Sequence, residues 1–267
     1  MAYDDYETIR FERSGDILTV FISDPAATPD SDFLILDELA RLFHDLRNEN
    51  EARAIVLTGA GQEFYSGLYD AAGSLEGMKN AGVGMVDMGG RGARRTVWDL
   101  LDVEVPIVAA LNGDAGYLGA TIALFCDVIF MSETATISDP HVHLGIVAGD
   151  GGVGAWPLAM GPALAKRYLL TGDPVTAQEA ARMGLVTHVC PADRVLAEAT
   201  AFAHRLAARA PLAVRGTKIA INHLIKDTIN GAFERGLNLE LMTFLSEDMV
   251  EALTAAREGR TPKFTGK

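Results

Sequence analysis

The feature of the sequence that most restricts its fold is the repeated change from short apolar segments to segments with helical periodicity. The segments ILTVFIS and RAIVLTG are short and rich in β-branched residues, and the stretch between them places Leu39, Phe43 and Leu46 on one helical face. VPIVAALNG and DVIFMS repeat the strand pattern, with the helical LGATIALFC between them. Strands that alternate with helices predict an α/β fold with a largely parallel sheet, whose functional loops lie at strand ends.

The two ends of the chain differ in character. TIRFERSG and ILTVFIS, joined by the turn RSGD, predict a hairpin, and LVTHVC is the last predicted strand. After Pro191 we find almost no strand pattern, and three helices are predicted, over residues 193–208, 212–226 and 229–257. We therefore divide the chain into a core domain, 1–192, and a helical C-terminal region, 193–267.

Composition excludes some classes of protein. The chain has 267 residues, of which 49% are hydrophobic, but no apolar run reaches the roughly 18 residues that a membrane span needs. Its 23 basic and 36 acidic residues give a net charge of −13, which argues against a general nucleic-acid binder. The acidic start lacks the features of a signal peptide, so we expect a cytoplasmic location. Cys126 and Cys190 are expected to be buried thiols, and no metal site is expected.

Two glycine-containing turns follow two of the predicted strands. GQEFYSGLYDAAG follows RAIVLTG, and NGDAGYLGAT follows VPIVAAL. Two strand-to-helix turns can each direct a backbone N–H to one point, and paired N–H donors stabilise the oxyanion that develops from a carbonyl or thioester. Taken singly, each turn is more simply interpreted as a helix start made easier by glycine.

Taken together, these segments resemble the crotonase superfamily, also called the enoyl-CoA hydratase/isomerase family. EFYSGLYD stands where the family has F-S-A-G-A-D, and ALNGDAGYLGATIALFCDVIF stands where it has A-x-N-G-x-A-x-G-G-G-x-E-L-A-x-x-C-D. ATISDPHVHLGIVAGDGGVGAWPLAMG, RYLLTGDPVTAQEAARMGLVTHV and the GRTPKF tail extend the match over nearly the whole chain. The resemblance implies a ClpP-like spiral of ββα turns, a helical C-terminal trimerisation region, and a homotrimer or a dimer of trimers.

The same resemblance implies an oxyanion hole for an enolate, built from the backbone N–H groups of Ser66 and Leu118. The departures from the family pattern concern its acid–base residues. The hydratases of the family add water with two glutamates, and these positions hold Thr121 and His141 here. Because threonine is no general base near neutral pH, two-glutamate hydration is disfavoured.

His141 and Asp150 lie in the frame P-H-x-x-x-G-I-V-x-G-D-G, which resembles the carbon–carbon bond hydrolases of the superfamily, the oxocamphor hydrolase and β-diketone hydrolase group. Those enzymes open 1,3-diketones by retro-Claisen attack of water. The resemblance implies that His141 activates water, that Asp150 orients the imidazole and stabilises the imidazolium, and that Glu240 assists proton transfer. A tryptophan and a second histidine of that group are missing here, so the substrate pocket must differ.

Each of these residues has a structural alternative. Asp150 precedes a predicted helix and is also a candidate N-cap, His141 could be a hydrogen-bonded structural histidine, and Glu240 could be a solvated charge or lie in a subunit interface. His143 is interpreted as structural or peripheral.

Substrate contacts follow from the turns and from the tail. The residues expected to line the pocket flank the two turns: Tyr65, Leu68, Tyr69 and Tyr117. Lys263 and Phe264 match the tail with which coenzyme A-binding members hold the nucleotide, although no basic residue precedes the first helix. We therefore predict hydrolysis of a 1,3-dicarbonyl compound, with coenzyme A at most as part of the substrate and no other cofactor. The alternatives are an enoyl-CoA hydratase or isomerase, and a non-catalytic binding protein.

Overall fold

The computed structural model describes residues 3, 5–22, 32–66 and 83–267. Its central sheet begins with the predicted hairpin, in which strand β1 (Arg10–Ser14) pairs antiparallel with β2 (Ile17–Ile22). Gly15, with φ 57°, forms the turn between them. The hairpin prediction is confirmed.

The remaining strands of this sheet are all parallel, as predicted. They are β3 (Ala54–Gly59), β4 (Ile107–Leu111), β5 (Val128–Ser132) and β8 (His188–Cys190), and the strand order is β1-β2-β3-β4-β5-β8. Two short strands that the sequence analysis missed, β6 (Thr136–Ile137) and β7 (Val175–Thr176), form a separate antiparallel pair. The carboxyl ends of β3 and β4 lie side by side, so the two glycine-containing turns begin next to each other.

Helices connect and cover the strands. In chain order the α-helices of the described part are α1 (Asp32–Leu46), α2 (Val83–Asp102), α3 (Leu118–Phe125), α4 (Gly152–Met160), α5 (Pro162–Thr171), α6 (Ala177–Met183), α7 (Val195–Ala207), α8 (Pro211–Thr243) and α9 (Glu247–Glu258). Short 3₁₀ turns span His141–Leu144 and Ala192–Arg194.

The helical C-terminal region is confirmed, but two of its predicted boundaries are wrong. The helix predicted over residues 193–208 is α7. The helix predicted over 212–226 and the first part of that predicted over 229–257 form one 33-residue helix, α8, and the rest of the latter is α9. The chain bends only after Thr243, where the Ser246 hydroxyl accepts the Met249 N–H at 3.1 Å and caps α9. Helix α8 continues because Ile229, Phe233 and Leu237 are buried at helical spacing, and this burial outweighs weak local propensity.

Two hydrophobic clusters hold the layers together. The larger includes Leu57 and Leu111 of the sheet with Phe233 of α8, and the smaller packs Ala199 and Ala203 of α7 against the opposite sheet face. The core therefore contains residues from both sides of position 192. Cys126 and Cys190 are buried free thiols, as predicted.

None of the helices in the described ranges combines the length and the hydrophobicity that a bilayer crossing requires.

Candidate active site

The first part of the candidate site is formed where the chain leaves β3 and β4. Tyr65 pairs with Ala115 in an isolated parallel bridge, and the Gly116 N–H donates to the Tyr65 carbonyl at 2.8 Å. The Gly116 backbone lies against Ser66, since a Cβ at Gly116 would stand 3.0 Å from the Ser66 carbonyl oxygen. These contacts bring Ser66 beside the start of α3, where Leu118 lies.

Asn112 joins the two turns through its side chain. Its Oδ1 accepts the Gly59 N–H at 2.9 Å, and its Nδ2 donates to the Gly61 carbonyl at 2.9 Å. Glycine is required at Gly113, where a Cβ would lie 1.9 Å from the Gln62 carbonyl oxygen. The turns are therefore fixed relative to each other before any ligand binds.

The backbone amides of Ser66 and Leu118 are the predicted donors of the oxyanion hole. Among the described residues, neither N–H donates a hydrogen bond. Leu118 is the first residue of α3, where backbone N–H groups lack partners within the helix. Tyr117 before it has φ 50°, which is uncommon for a residue other than glycine and marks local backbone strain at this turn. The arrangement is compatible with the predicted oxyanion hole.

The second part of the site is His141, which begins the 3₁₀ turn after Pro140 and is buried. Its Nδ1 lies 2.5 Å from Oδ1 of Asp139, which is also buried. Because an ionised carboxylate only accepts, Nδ1 is the protonated nitrogen of the neutral ring and Nε2 carries the lone pair. The hydrogen bond that orients the imidazole is therefore made by Asp139, and not by Asp150 as predicted.

Asp150 and Glu240 both face the other ring nitrogen. His141 Nε2 lies 3.5 Å from Asp150 Oδ2 and 3.6 Å from Glu240 Oε1, and both carboxylates are buried. Glu240 reaches this position because α8 passes close to the loop, where a Cβ at Gly149 would stand 2.3 Å from the Gly236 carbonyl oxygen. The structure thus brings together the three acid–base residues that the sequence analysis selected.

Glycine is required next to Asp150 by the backbone conformation and by the close approach of neighbouring groups. Gly151, at φ 129°, is the N-cap residue of α4, so Asp150 lies one position before the cap, although the backbone N–H of Gly152 at the helix start still interacts with the Asp150 carboxylate. A Cβ at Gly152 would lie 2.0 Å from Oδ2 of Asp139. Glycine at this position therefore leaves the space that the Asp139 carboxylate occupies.

The electrostatics of this cluster follow from burying three carboxylates around one imidazole. Burial lowers the pKa of His141, but the charges of Asp150 and Asp139, the hydrogen bond to Asp139 and the charge of Glu240 outweigh it and raise the pKa to about 10. Burial raises the pKa of Asp150 to about 6. Burial and the neighbouring Asp150 charge also raise the pKa of Glu240 well above its usual range. The three carboxylates therefore favour an imidazolium at neutral pH.

Asp139, His141 and Asp150 also offer nitrogen and oxygen atoms within 4.8 Å of one another. The 2.5 Å separation of Nδ1 and the Asp139 oxygen is that of a direct hydrogen bond. Two ligands at about 2.0–2.2 Å from a tetrahedral zinc ion would stand farther apart. The distance between His141 Nδ1 and the Asp139 oxygen therefore fits a shared proton better than a metal ion bound between these two residues.

The aromatic residues predicted to line the pocket occupy different places. Tyr117 packs its ring against His141, with centroids 5.0 Å apart and planes at 84°. Burial, with the charge of Asp139, raises the pKa of Tyr117 to about 12. Tyr65 is buried in the main core beneath Gly119. Leu68 and Tyr69 lie outside the described residues.

The tail packs on α9. The Lys263 N–H donates to Glu251 Oε1 at 2.8 Å, and the N–H groups of Thr265 and Gly266 donate to Asp248. Phe264 is 47% exposed. Helix α9 in turn contacts the loop of the candidate site, because a Cβ at Gly145 would lie 3.0 Å from the Asp248 backbone. Lys263 and Phe264 thus lie on an element next to the His141 turn, whereas the exposed ring of His143 lies against Gly172 with Nε2 2.7 Å from the Thr171 carbonyl.

A parallel-sheet α/β fold in which two backbone amides without a partner among the described residues lie beside a buried imidazole–carboxylate cluster is an arrangement that can stabilise an oxyanion and move protons. Comparison with known proteins gives the particular family. The family model described as enoyl-CoA hydratase/isomerase matches residues 12–267, and the chain belongs to this family, the crotonase superfamily.

Individual relatives agree with this assignment. A probable enoyl-CoA hydratase of Mycobacterium tuberculosis is 30% identical over 97% of this chain and 98% of the relative. The crystal structure of an enoyl-CoA hydratase/isomerase from Mycobacterium paratuberculosis superposes with a TM-score of 0.86, at 33% identity over 94% of this chain and 99% of the other. A β-diketone hydrolase from the cyanobacterium Anabaena, bound to (S)-3-oxocyclohexyl acetic acid, has a TM-score of 0.79 at 28% identity, over 91% and 96% of the two chains.

Proposed function

We propose that this enzyme hydrolyses a carbon–carbon bond of a 1,3-dicarbonyl compound. The observation that carries the proposal is the imidazole of His141, which Asp139 holds by Nδ1 so that Nε2 faces Asp150 and Glu240. The cluster supplies a base and a group that can relay its proton, while Thr121 places no carboxylate on the α3 side of the site. Water activation by one oriented base fits this arrangement better than hydration by two glutamates.

The reaction is a retro-Claisen hydrolysis. His141 Nε2 takes a proton from water, and the water oxygen bonds to one carbonyl carbon of the substrate. The bond from that carbon to the central carbon then breaks, and its electron pair forms the enolate of the second carbonyl. The N–H groups of Ser66 and Leu118 hold the enolate oxygen. The central carbon finally takes a proton, so that one carbonyl becomes a carboxylic acid and the other remains a ketone or thioester; both groups lie on one product when the diketone is cyclic.

The carboxylates divide the proton transfers between them. Asp139 keeps Nδ1 protonated, and Asp150 stabilises the imidazolium that forms when Nε2 accepts the proton. Glu240, whose raised pKa favours its protonated form, gives its proton to the central carbon and is then reprotonated from Nε2. Because the resting imidazole favours its protonated form, the proposal requires the rate to increase with pH above neutrality.

A second function is favoured by the names of the relatives. Enoyl-CoA hydratases are similar to this chain over nearly its whole length, so addition of water to an enoyl-CoA is the alternative reaction. Coenzyme A as part of the substrate is supported by Lys263 and Phe264, which lie on the tail beside α9. A non-catalytic role in RNA binding is disfavoured by the net charge of −13.

We also propose that the chain assembles as a homotrimer or a dimer of trimers in the cytoplasm. The support for assembly is a set of large apolar side chains that α8 and the residues after it leave exposed: Ile221, Leu224, Leu239, Met242 and Leu245. Exposed apolar groups in this number are typical of a surface that another subunit covers. Light scattering coupled to gel filtration measures the mass of the assembly.

The experiment that tests the function is a product assay in H₂¹⁸O with a cyclic 1,3-diketone, a 3-oxoacyl-CoA and crotonyl-CoA. We expect cleavage of a dicarbonyl substrate, with ¹⁸O in the new carboxylate, and no detectable turnover by His141→Ala. The matched control is His143→Ala, because His143 is an exposed histidine two residues away and should leave turnover unchanged. Hydration of crotonyl-CoA alone would contradict the proposal, and so would turnover by His141→Ala.

A further inference from the structure

Thr121 differs from the other helical threonines in what its hydroxyl contacts. The residue is fully buried on α3, and within the described part of the chain its Oγ1 has no hydrogen-bond partner. Elsewhere, a threonine within a helix donates to the carbonyl one turn earlier, as Thr96, Thr200, Thr217, Thr228 and Thr254 do. The carbonyl one turn before Thr121 belongs to Tyr117 and accepts only the Thr121 N–H, at 3.2 Å. The hydroxyl is therefore turned away from the helix.

The methyl group of Thr121 packs on the turn that carries Asp150. Its Cγ2 lies against Gly151, where a Cβ would be only 2.5 Å away, so the side chain reaches the turn that carries Asp150. One helical turn earlier on the same face, the ring of Tyr117 packs against His141. Thr121 thus lies between the His141 environment and the Asp150 turn.

A second oxygen without a partner lies on the adjoining turn. Oδ1 of Asp150 is buried and accepts no hydrogen bond from the described residues. A buried hydroxyl and a buried carboxylate oxygen that both lack partners cost free energy unless a bound molecule supplies them. A water molecule can accept from the hydroxyl and donate to the carboxylate, which satisfies both.

We propose that the Thr121 hydroxyl is a further site residue, which binds the water molecule that the reaction consumes. This role rests on the proposed hydrolysis. Thr121 donates to the water oxygen and Asp150 accepts one of its hydrogens, which leaves the second hydrogen for Nε2 of His141. The water molecule is therefore oriented before the reaction begins, and it is not chemically changed until His141 takes its proton.

The test compares Thr121→Val, which removes the hydroxyl at nearly constant shape, with Thr121→Ser, which keeps it. We expect Thr121→Val to lose about tenfold or more in kcat, because a misplaced nucleophile reacts slowly, while KM changes little. Its Tm should stay equal or increase, because a buried oxygen without a protein partner is lost. Thr121→Ser should recover most of the lost rate.

The matched control is Thr96→Val, which removes a buried hydroxyl that donates to the Gly92 carbonyl at 2.9 Å. This variant should show the opposite result, a lower Tm and unchanged kcat. A kcat for Thr121→Val within twofold of the parent would overturn the proposal. A lower Tm for Thr121→Val, together with a crystal structure of the parent in which Oγ1 donates to the Tyr117 carbonyl, would also overturn it.

Crystal structures separate this inference from the proposed reaction. If the parent protein cleaves no dicarbonyl substrate, the proposed function fails, but the water site is still tested by the parent and Thr121→Val structures at a resolution that shows ordered water. A water molecule on Oγ1 in the parent that is lost in the variant supports the site. A parent structure in which no water molecule is bound to Oγ1 refutes the site.

Discussion

Asp139→Asn is the substitution that most directly tests how the carboxylates set the reactivity of His141. The amide keeps the shape of the carboxylate and can still accept the hydrogen bond from Nδ1, which lies 2.5 Å away, but the negative charge is removed. A hydrogen bond to a charged group contributes about 1.5–3 kcal/mol, and a neutral one about 0.5–1.5 kcal/mol. The loss of about 1.4 kcal/mol lowers the pKa of His141 by about one unit.

The expected signature is a change in the pH profile. His141 accepts a proton only in its neutral form, and its pKa is raised to about 10, so kcat/KM of the parent should increase about tenfold per pH unit above neutrality. In Asp139→Asn, kcat/KM should stop increasing at a pH about one unit lower than in the parent. Its plateau value should be up to about tenfold lower, because the imidazolium in the transition state loses the same stabilisation. At pH 7 the two effects nearly cancel.

The assay is kcat/KM for the cleaved substrate from pH 5.5 to 10, with the parent, Asp139→Asn and the control Asp99→Asn. Asp99 lies 3.4 Å from the exposed His44 and provides a histidine–aspartate contact outside the site, so its variant should follow the parent profile. Parent rates that stay constant above pH 7 would refute the reasoning and would assign proton acceptance to Asp150. An unshifted profile in Asp139→Asn would remove Asp139 from the mechanism.

Two other substitutions test the remaining parts of the cluster. The glutamine of Glu240→Gln cannot carry a proton, so kcat should decrease about 10²–10⁴-fold with little change in KM. Stopped product assays measure kcat and KM. A kcat equal to that of the parent would show that Glu240 is only structural. Gly152→Ala places a methyl group 2.0 Å from Oδ2 of Asp139, so it should destabilise the fold by about 1–3 kcal/mol and reduce turnover. Denaturant unfolding measures the stability, with Gly216→Ala, where a Cβ meets nothing within 4 Å, as the control; equal stability of the two variants would contradict the steric argument.

The parts of the fold that could be predicted are those with a strong local pattern. The parallel strands are continuous apolar runs between turns, and β3 and β4 are buried along their whole lengths, so their pattern is easily recognised. The pair of β6 and β7 could not be predicted, because two residues in each strand carry no periodicity and their pairing is long-range. The continuity of α8 depends on packing against α2 and α4, which local propensity does not report.

The candidate site divides in the same way. His141, Asp150 and Glu240 were selected through resemblance to a group of enzymes, and the structure places the two carboxylates 3.5 and 3.6 Å from Nε2 of the His141 ring. Asp139 was missed although it is only two residues from His141. Side chains two residues apart do not face each other on a helix, so a helical pattern does not indicate this contact. The contact depends on the 3₁₀ turn that begins after Pro140. The signal that could have found it is the sequence Asp-Pro-His itself, in which proline restricts the chain to a turn.

The charge balance of the cluster indicates what the structure maintains there. Helix α8 also carries the buried Lys218, whose ammonium lies 2.7 Å from Asp127 and donates to the Val105 carbonyl at 3.0 Å, so that charge is paired and hydrogen-bonded. Around His141 three buried carboxylates share one imidazole, and each carries an oxygen with no partner among the described residues. An uncompensated buried charge costs stability, so a site that served only to hold the fold together would not contain a surplus of them. The surplus raises the pKa of His141, which strengthens the neutral imidazole as a proton acceptor and shifts that neutral form to alkaline pH.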